Sequence, residues 1–152
     1  RRQFTRFLEQ RWHGFNPRIP LIESVGRSNY SKLSDESCVG VEINALVGRS
    51  DIWTGSFDEL PEQWAQKFGV VFSNAFDHSF DPFKTAKSWC SVVRPGGYMI
   101  IQFPERQTPG PLDPVGFLAI DDFVKLFPGE IVYCHARGSA WKYTEYIFRM
   151  ST

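Results

Sequence analysis

Two apolar runs, "GVVFSN" at 69–74 and "YMIIQF" at 98–103, stand one helix apart, and the segment between them is amphipathic. A continuous apolar run of this length is what a strand buried on both faces shows, and such strands belong to parallel sheets. The linking stretch "DPFKTAKSWCSVV" opens with Asp81 as a side-chain cap and Pro82 at the first helical position. Phe83, Ala86, Trp89, Cys90 and Val93 then recur at spacings of three and four, and "RPGG" stops the helix. A strand, a helix and a second strand in this order predict a parallel unit with a helical crossover.

The same alternation extends on both sides. "RRQFTRFLEQRW" predicts an amphipathic entry helix, closed by "HGFNPRIP", so residues 1–19 read as N-terminal helix and linker and 20–152 as the core of a single domain. "LIESVG" (21–26), "CVGVEI" (38–43) and the residues near Asp51–Thr54 predict short strands, and "RSNYSKLSDES" (27–37) a polar loop. "DELPEQWAQKF" predicts a helix starting at Pro61 and Glu62, with Trp64, Ala65 and Phe68 on one face. "AIDDFVKLF" predicts a short helix with Asp121 and Asp122 near its N-terminal end. "EIVYCHARG" and "KYTEYIFRM", joined by "GSAW", predict a closing hairpin whose last strand is antiparallel. The expected class is α/β: a Rossmann-like, mostly parallel sheet with helices on both faces and an antiparallel last strand.

Composition narrows the partners. Seventeen basic and seventeen acidic side chains cancel, so no global field attracts nucleic acid or an anionic membrane, although five arginines fall within the first 18 residues. No apolar run approaches the ~18 residues of a membrane span. Cys38, Cys90 and Cys134 are widely spaced in apolar runs without a C-x-x-C pair, which predicts three buried thiols and a reducing, cytoplasmic setting. The absence of an initiator methionine and of a leader pattern fits a fragment or a processed product. Homodimer or larger assembly is left open.

Ligands of open parallel sheets bind outside the carboxyl ends of the strands. Ser73 and Asn74 end one such strand, and Asp77 and His78 follow at once. Asp77 and His78 are the best acid/base pair in the chain, since histidine titrates near neutrality and a carboxylate orients it. The alternative is structural, with Asn74 and Asp77 shaping a turn and His78 bonding backbone. His13 and His135 lie apart from other ligand-type residues, so no metal site is expected.

Read together, the motifs from Val39 to Met150 resemble the later two-thirds of class I S-adenosylmethionine-dependent methyltransferases. "VGVEIN" is similar to that family's strand ending in a ribose-binding acid, here Glu42 followed by Ile43. "TGSFDELP" resembles the segment flanking the adenine, with Gly55, Ser56 and Phe57, and "FGVVFSNAFDHSFDP" and "SVVRPGGYMII" resemble the strand, helix and strand that follow. The resemblance implies S-adenosyl-L-methionine as cofactor, bound by Gly26, Glu42, Ile43, Gly55, Ser56, Phe57, Ser73 and Asn74. It also implies methyl transfer to a small-molecule or sugar-like acceptor, with His78 removing the acceptor proton.

The departure lies in "ESVGRSNYS", where one glycine, Gly26, replaces the family's three and stands 16 positions before Glu42. Roughly 20 separate such a turn from its acid, so a short first helix is expected. The alternative that this supports is a catalytically degenerate domain used as a binding or scaffold module. A nucleotide or nicotinamide binder is a third reading, disfavoured by the antiparallel closing pair.

Overall fold

The structure is a computed structural model that describes residues 21–24, 38–43, 52–104, 108–116, 118–137 and 143–151. Its described strands form one sheet: β1 (Leu21–Ser24), β2 (Cys38–Glu42), β3 (Ile52–Thr54), β4 (Phe68–Ser73), β5 (Val93–Pro104), β6 (Gly129–Arg137) and β7 (Tyr143–Met150). The order across the sheet is β3-β2-β1-β4-β5-β7-β6. β1 to β5 pair in parallel, while β7 runs antiparallel to both β5 and β6. The expected antiparallel closing strand is therefore present. The chain builds outward from β1 to β3, then returns to the other side of β1 with β4, so the direction of winding reverses between β1 and β4.

β4 is buried at every position, as its apolar run requires. Helix α1 (Pro82–Val92) begins as the sequence implies, with Pro82 in the first turn and the Asp81 carboxylate accepting the Lys84 N–H at 3.0 Å. α1 ends at Val92, and Val93, expected in the helix, is extended and opens β5, where "RPGG" forms a bulge. The pairing passes from Phe68↔Val93 to Val70↔Tyr98, so five residues of β5 advance against two of β4. Gly97 permits this because a Cβ there would lie 2.8 Å from the Gly69 carbonyl oxygen.

Helix α2 (Ile120–Lys125) carries Asp121 and Asp122 in its first turn. Ala86, Trp89 and Val92 of α1 and Phe123 of α2 share one core with Val71, Met99, Ile101, Phe103 and Phe148. Residues of one strand face reach both helices, so the two described helices cover the same face of the sheet. The expected cover of the opposite face is not seen among the described residues, and the segment expected as N-terminal helix, Gly26 and the stretch 27–37 lie outside them.

Two expectations are corrected. The helix predicted from Pro61 is only a single 3-10 turn, Glu62–Trp64, with no fully buried residue. Gln66 adopts φ 55°, and β4 starts at Phe68, which leaves no length for an α-helix. The thiols are not uniformly buried: Cys134 is exposed on β6, an edge strand, and Cys90 is half-buried on α1. No helix among the described residues is long and apolar enough to cross a membrane.

Candidate functional site

The polar sequence after β4 is folded around one aromatic anchor. Ser73, fully buried, accepts the Ala75 N–H on its hydroxyl at 3.0 Å and turns the chain out of the sheet. Phe76 then enters the core with no exposed surface. Its ring meets Trp89, Phe103 and Phe123 edge-on at centroid distances of 5.5, 5.9 and 5.7 Å, and tilts against Phe127 at 5.6 Å. Phe76–His78 form a 3-10 turn. With three residues per turn, side chains after Phe76 must project in different directions. Asp77 is turned into a nearly closed position, 8% exposed, and His78 emerges at the surface.

The loop after β5 closes on this turn. The Val115 N–H donates to the Asp77 carbonyl at 3.3 Å. His78 Nδ1 lies 2.8 Å from the Leu112 carbonyl oxygen and 2.6 Å from Asp113 Oδ1. The carboxylate in closest contact with Nδ1 is Asp113, and an oxygen of Asp77 lies within 4.8 Å of the same group of atoms. One buried oxygen of Asp77 has no hydrogen-bond partner. Burial pushes the Asp77 carboxyl above the usual carboxylate range; His78 opposes this and the charge of Asp113 adds to it. Asp77, His78 and Asp113 together place ligand-type atoms within 4.8 Å of one another.

A polar knot, invisible in the sequence, stiffens the site from behind. Asp58 accepts a hydrogen bond from Thr85 and lies 3.4 Å from the Ser79 hydroxyl, which in turn is 2.6 Å from Thr85 Oγ1. The Trp89 indole donates to the Phe57 carbonyl at 3.0 Å, and the Leu60 N–H to the Ser88 hydroxyl at 2.9 Å. These bonds tie the loop after β3 to α1. Phe57 itself packs edge-on against Trp89 at 5.6 Å, which is the role of a core ring. Ser56 accepts the Asp58 N–H at 3.2 Å.

The other strand-end residues converge by register. Ser24 of β1 pairs with Val41 of β2 on one side and Ser73 of β4 on the other. Glu42 and Asn74 therefore flank the carboxyl end of β1, two strand spacings or about 10 Å apart. Glu42 is half-buried and Asn74 exposed, and the Gly55 N–H donates to the Glu42 carbonyl at 2.9 Å, joining the ends of β2 and β3. Ile43 leaves 73% of its surface open beside Glu42. Glu42, Ile43, Gly55, Ser56, Ser73 and Asn74 thus line one sheet edge, and Asp77 and His78 stand beyond Asn74. Gly26 lies outside the described residues. Asp113 was missed because nothing in "PLDP" distinguishes it from other loop acids.

No protein-family profile and no curated protein matches the chain. Solved structures do. A 1,6-didemethyltoxoflavin-N1-methyltransferase from Burkholderia thailandensis, holding 1,6-didemethyltoxoflavin and S-adenosylhomocysteine, aligns over 88% of this chain and 72% of its own, with TM-score 0.68 and 12% identity. An S-adenosylmethionine-dependent methyltransferase from Methanosarcina mazei aligns over 91% and 96%, with TM-score 0.66 and 15% identity. The chain has the class I S-adenosylmethionine-dependent methyltransferase fold. The [4+2]-cyclase SpnF also aligns, over 99% of this chain and 81% of its own, with TM-score 0.73 and 12% identity. This fold therefore carries more than one chemistry, and activity has to be argued from the site.

Proposed function

We propose that the protein is an S-adenosylmethionine-dependent methyltransferase acting on a small-molecule or sugar-like acceptor. The observation that carries this reading is the convergence of Glu42 and Asn74 on either side of the carboxyl end of β1, where the winding of the sheet reverses. A carboxylate there accepts hydrogen bonds from a ribose diol. The open face of Ile43 offers an apolar surface to a purine, and Gly55 and Ser56 bound that surface at the end of β3. Methyltransferases of the same fold bind the cofactor or its product, which supports S-adenosylmethionine as the ligand.

When bound, S-adenosylmethionine supplies an electrophilic methyl group. This chain's part is to hold cofactor and acceptor in line and to exclude water. His78, at the surface beyond Asn74, takes the proton that an acceptor hydroxyl or amine gives up. Phe80 and Leu112, 78% and 81% exposed, give the acceptor side apolar surface next to that imidazole.

Calorimetric titration with S-adenosylmethionine and S-adenosylhomocysteine tests the reading. Micromolar binding is expected, weakened roughly tenfold to a hundredfold by Glu42→Ala, the worth of a hydrogen bond to a charged group. A folded protein that gives no heat and no thermal shift with either ligand would sink the methyltransferase reading and leave the scaffold alternative.

A further inference from the structure

We infer that His78 and Asp113 form a catalytic dyad, in which Asp113 is a positioning residue that fixes the His78 tautomer with the proton on Nδ1 and the lone pair on Nε2. The inference takes its chemistry from the methyltransferase reading, but its geometry stands apart from it. Nδ1 faces two oxygens, the Leu112 carbonyl at 2.8 Å and Asp113 Oδ1 at 2.6 Å. Neither a carbonyl nor a carboxylate donates, so Nδ1 carries the proton and the neutral ring presents Nε2 outward as the base.

The loop that brings Asp113 is built to hold it. The Asp113 carbonyl accepts two N–H groups, from Gly110 at 3.1 Å and Gly116 at 3.2 Å, and Val115 pins the loop to Asp77. Gly116 has φ +57°, and a Cβ there would lie 2.7 Å from Pro109, so the loop's return depends on glycine. The backbone of Asp113 is thereby held by two hydrogen bonds to its carbonyl, one from each flank of the loop. Asp113, not Asp77, makes the short contact with Nδ1, and one buried oxygen of Asp77 has no hydrogen-bond partner. The nearby grouping of Asp77, His78 and Asp113 is also a poor cation cage as it stands, since a metal would need Nδ1 stripped of its proton while it faces the Leu112 carbonyl.

The test is a long-range proton–nitrogen NMR spectrum of the labelled full chain at mildly alkaline pH, with His78 assigned through His78→Gln. Wild-type protein should show His78 with its proton on Nδ1, against the preference of a free imidazole for Nε2. In Asp113→Ala the Nε2–H form should appear beside it. A wild-type His78 protonated on Nε2 overturns the dyad. An unchanged tautomer in Asp113→Ala assigns the ring to Leu112 alone and overturns the role of Asp113, as does selective broadening of the His78 signals by stoichiometric Mn²⁺. These readouts need no acceptor, so failure of the dyad and failure of the methyltransferase reading are separable. With an acceptor in hand, Asp113→Asn should lower kcat by roughly 10²- to 10⁴-fold while cofactor affinity stays put.

Discussion

Replacing Phe76 by alanine should cost far more than replacing Phe80, although the two phenylalanines stand in the same short segment. Phe76 has no exposed surface and touches four aromatic rings at centroid distances between 5.5 and 5.9 Å, whereas Phe80 is 78% exposed. Truncating a fully buried phenylalanine loses its transfer free energy and leaves a cavity, together about 3–5 kcal/mol. The wall of that cavity would be four large rings held by α1, α2, the segment after α2 and β5, so little collapse is available and the upper half of the range is expected. Domains of this size hold roughly 5–15 kcal/mol in total. Urea unfolding followed by tryptophan fluorescence should therefore show the midpoint of Phe76→Ala lowered by about 2 M, with slope unchanged, for a slope near ~2 kcal/mol/M. Phe80→Ala should fall within about 0.5 kcal/mol of wild type. Equal midpoints for the two variants would refute the claim that Phe76 anchors the turn bearing Asp77 and His78.

Three further outcomes follow from the same geometry. Burial raises the Asp77 carboxyl above its ordinary value near 3.8, so the native state holds a proton that the unfolded chain releases. Stability from this group is full below that value and is lost as pH rises through the raised one; Asp77→Asn should be more stable than wild type at neutral pH and indistinguishable in acid, and a difference independent of pH would contradict it. Burial pushes the Cys90 thiol up to about 12, while Cys134 is exposed; iodoacetamide at neutral pH followed by peptide mass mapping should modify Cys134 well before Cys90, and equal rates would be the contrary result. Gly116→Ala must accept a left-handed backbone and a contact with Pro109, so it should lose roughly 1–2 kcal/mol or more in urea titration; no loss would mean that the loop is not held as described.

Much of the fold was legible because its signals are local. The apolar run of β4, the Asp-Pro start of α1 and the burial of Ala86 and Trp89 appear as expected, because each reports on neighbouring residues; Phe83, expected on the same face, is 75% exposed. The segment after Pro61 misled because helix propensity there competes with the need to enter β4 at Phe68, a demand set by the sheet. Cys134 misled in a similar way: its run is apolar, but β6 is an edge strand and leaves that side chain outside.

The candidate site divides along the same line. Sequence alone placed Glu42, Asn74, Asp77 and His78 at strand ends, because a strand's end and the polar residues after it are adjacent in the chain. The partner of His78 was beyond its reach. Leu112 is 34 positions away, and it meets the imidazole only because β4 and β5 are parallel neighbours whose following loops must emerge at the same edge. Likewise Asp58 finds Thr85 across 27 positions, through the packing of α1 against the loop after β3. Local pattern determined which residues form the elements and where the polar ends lie. Tertiary structure decided which carboxylate faces the histidine, since that contact comes from the order of the strands and not from spacing along the chain.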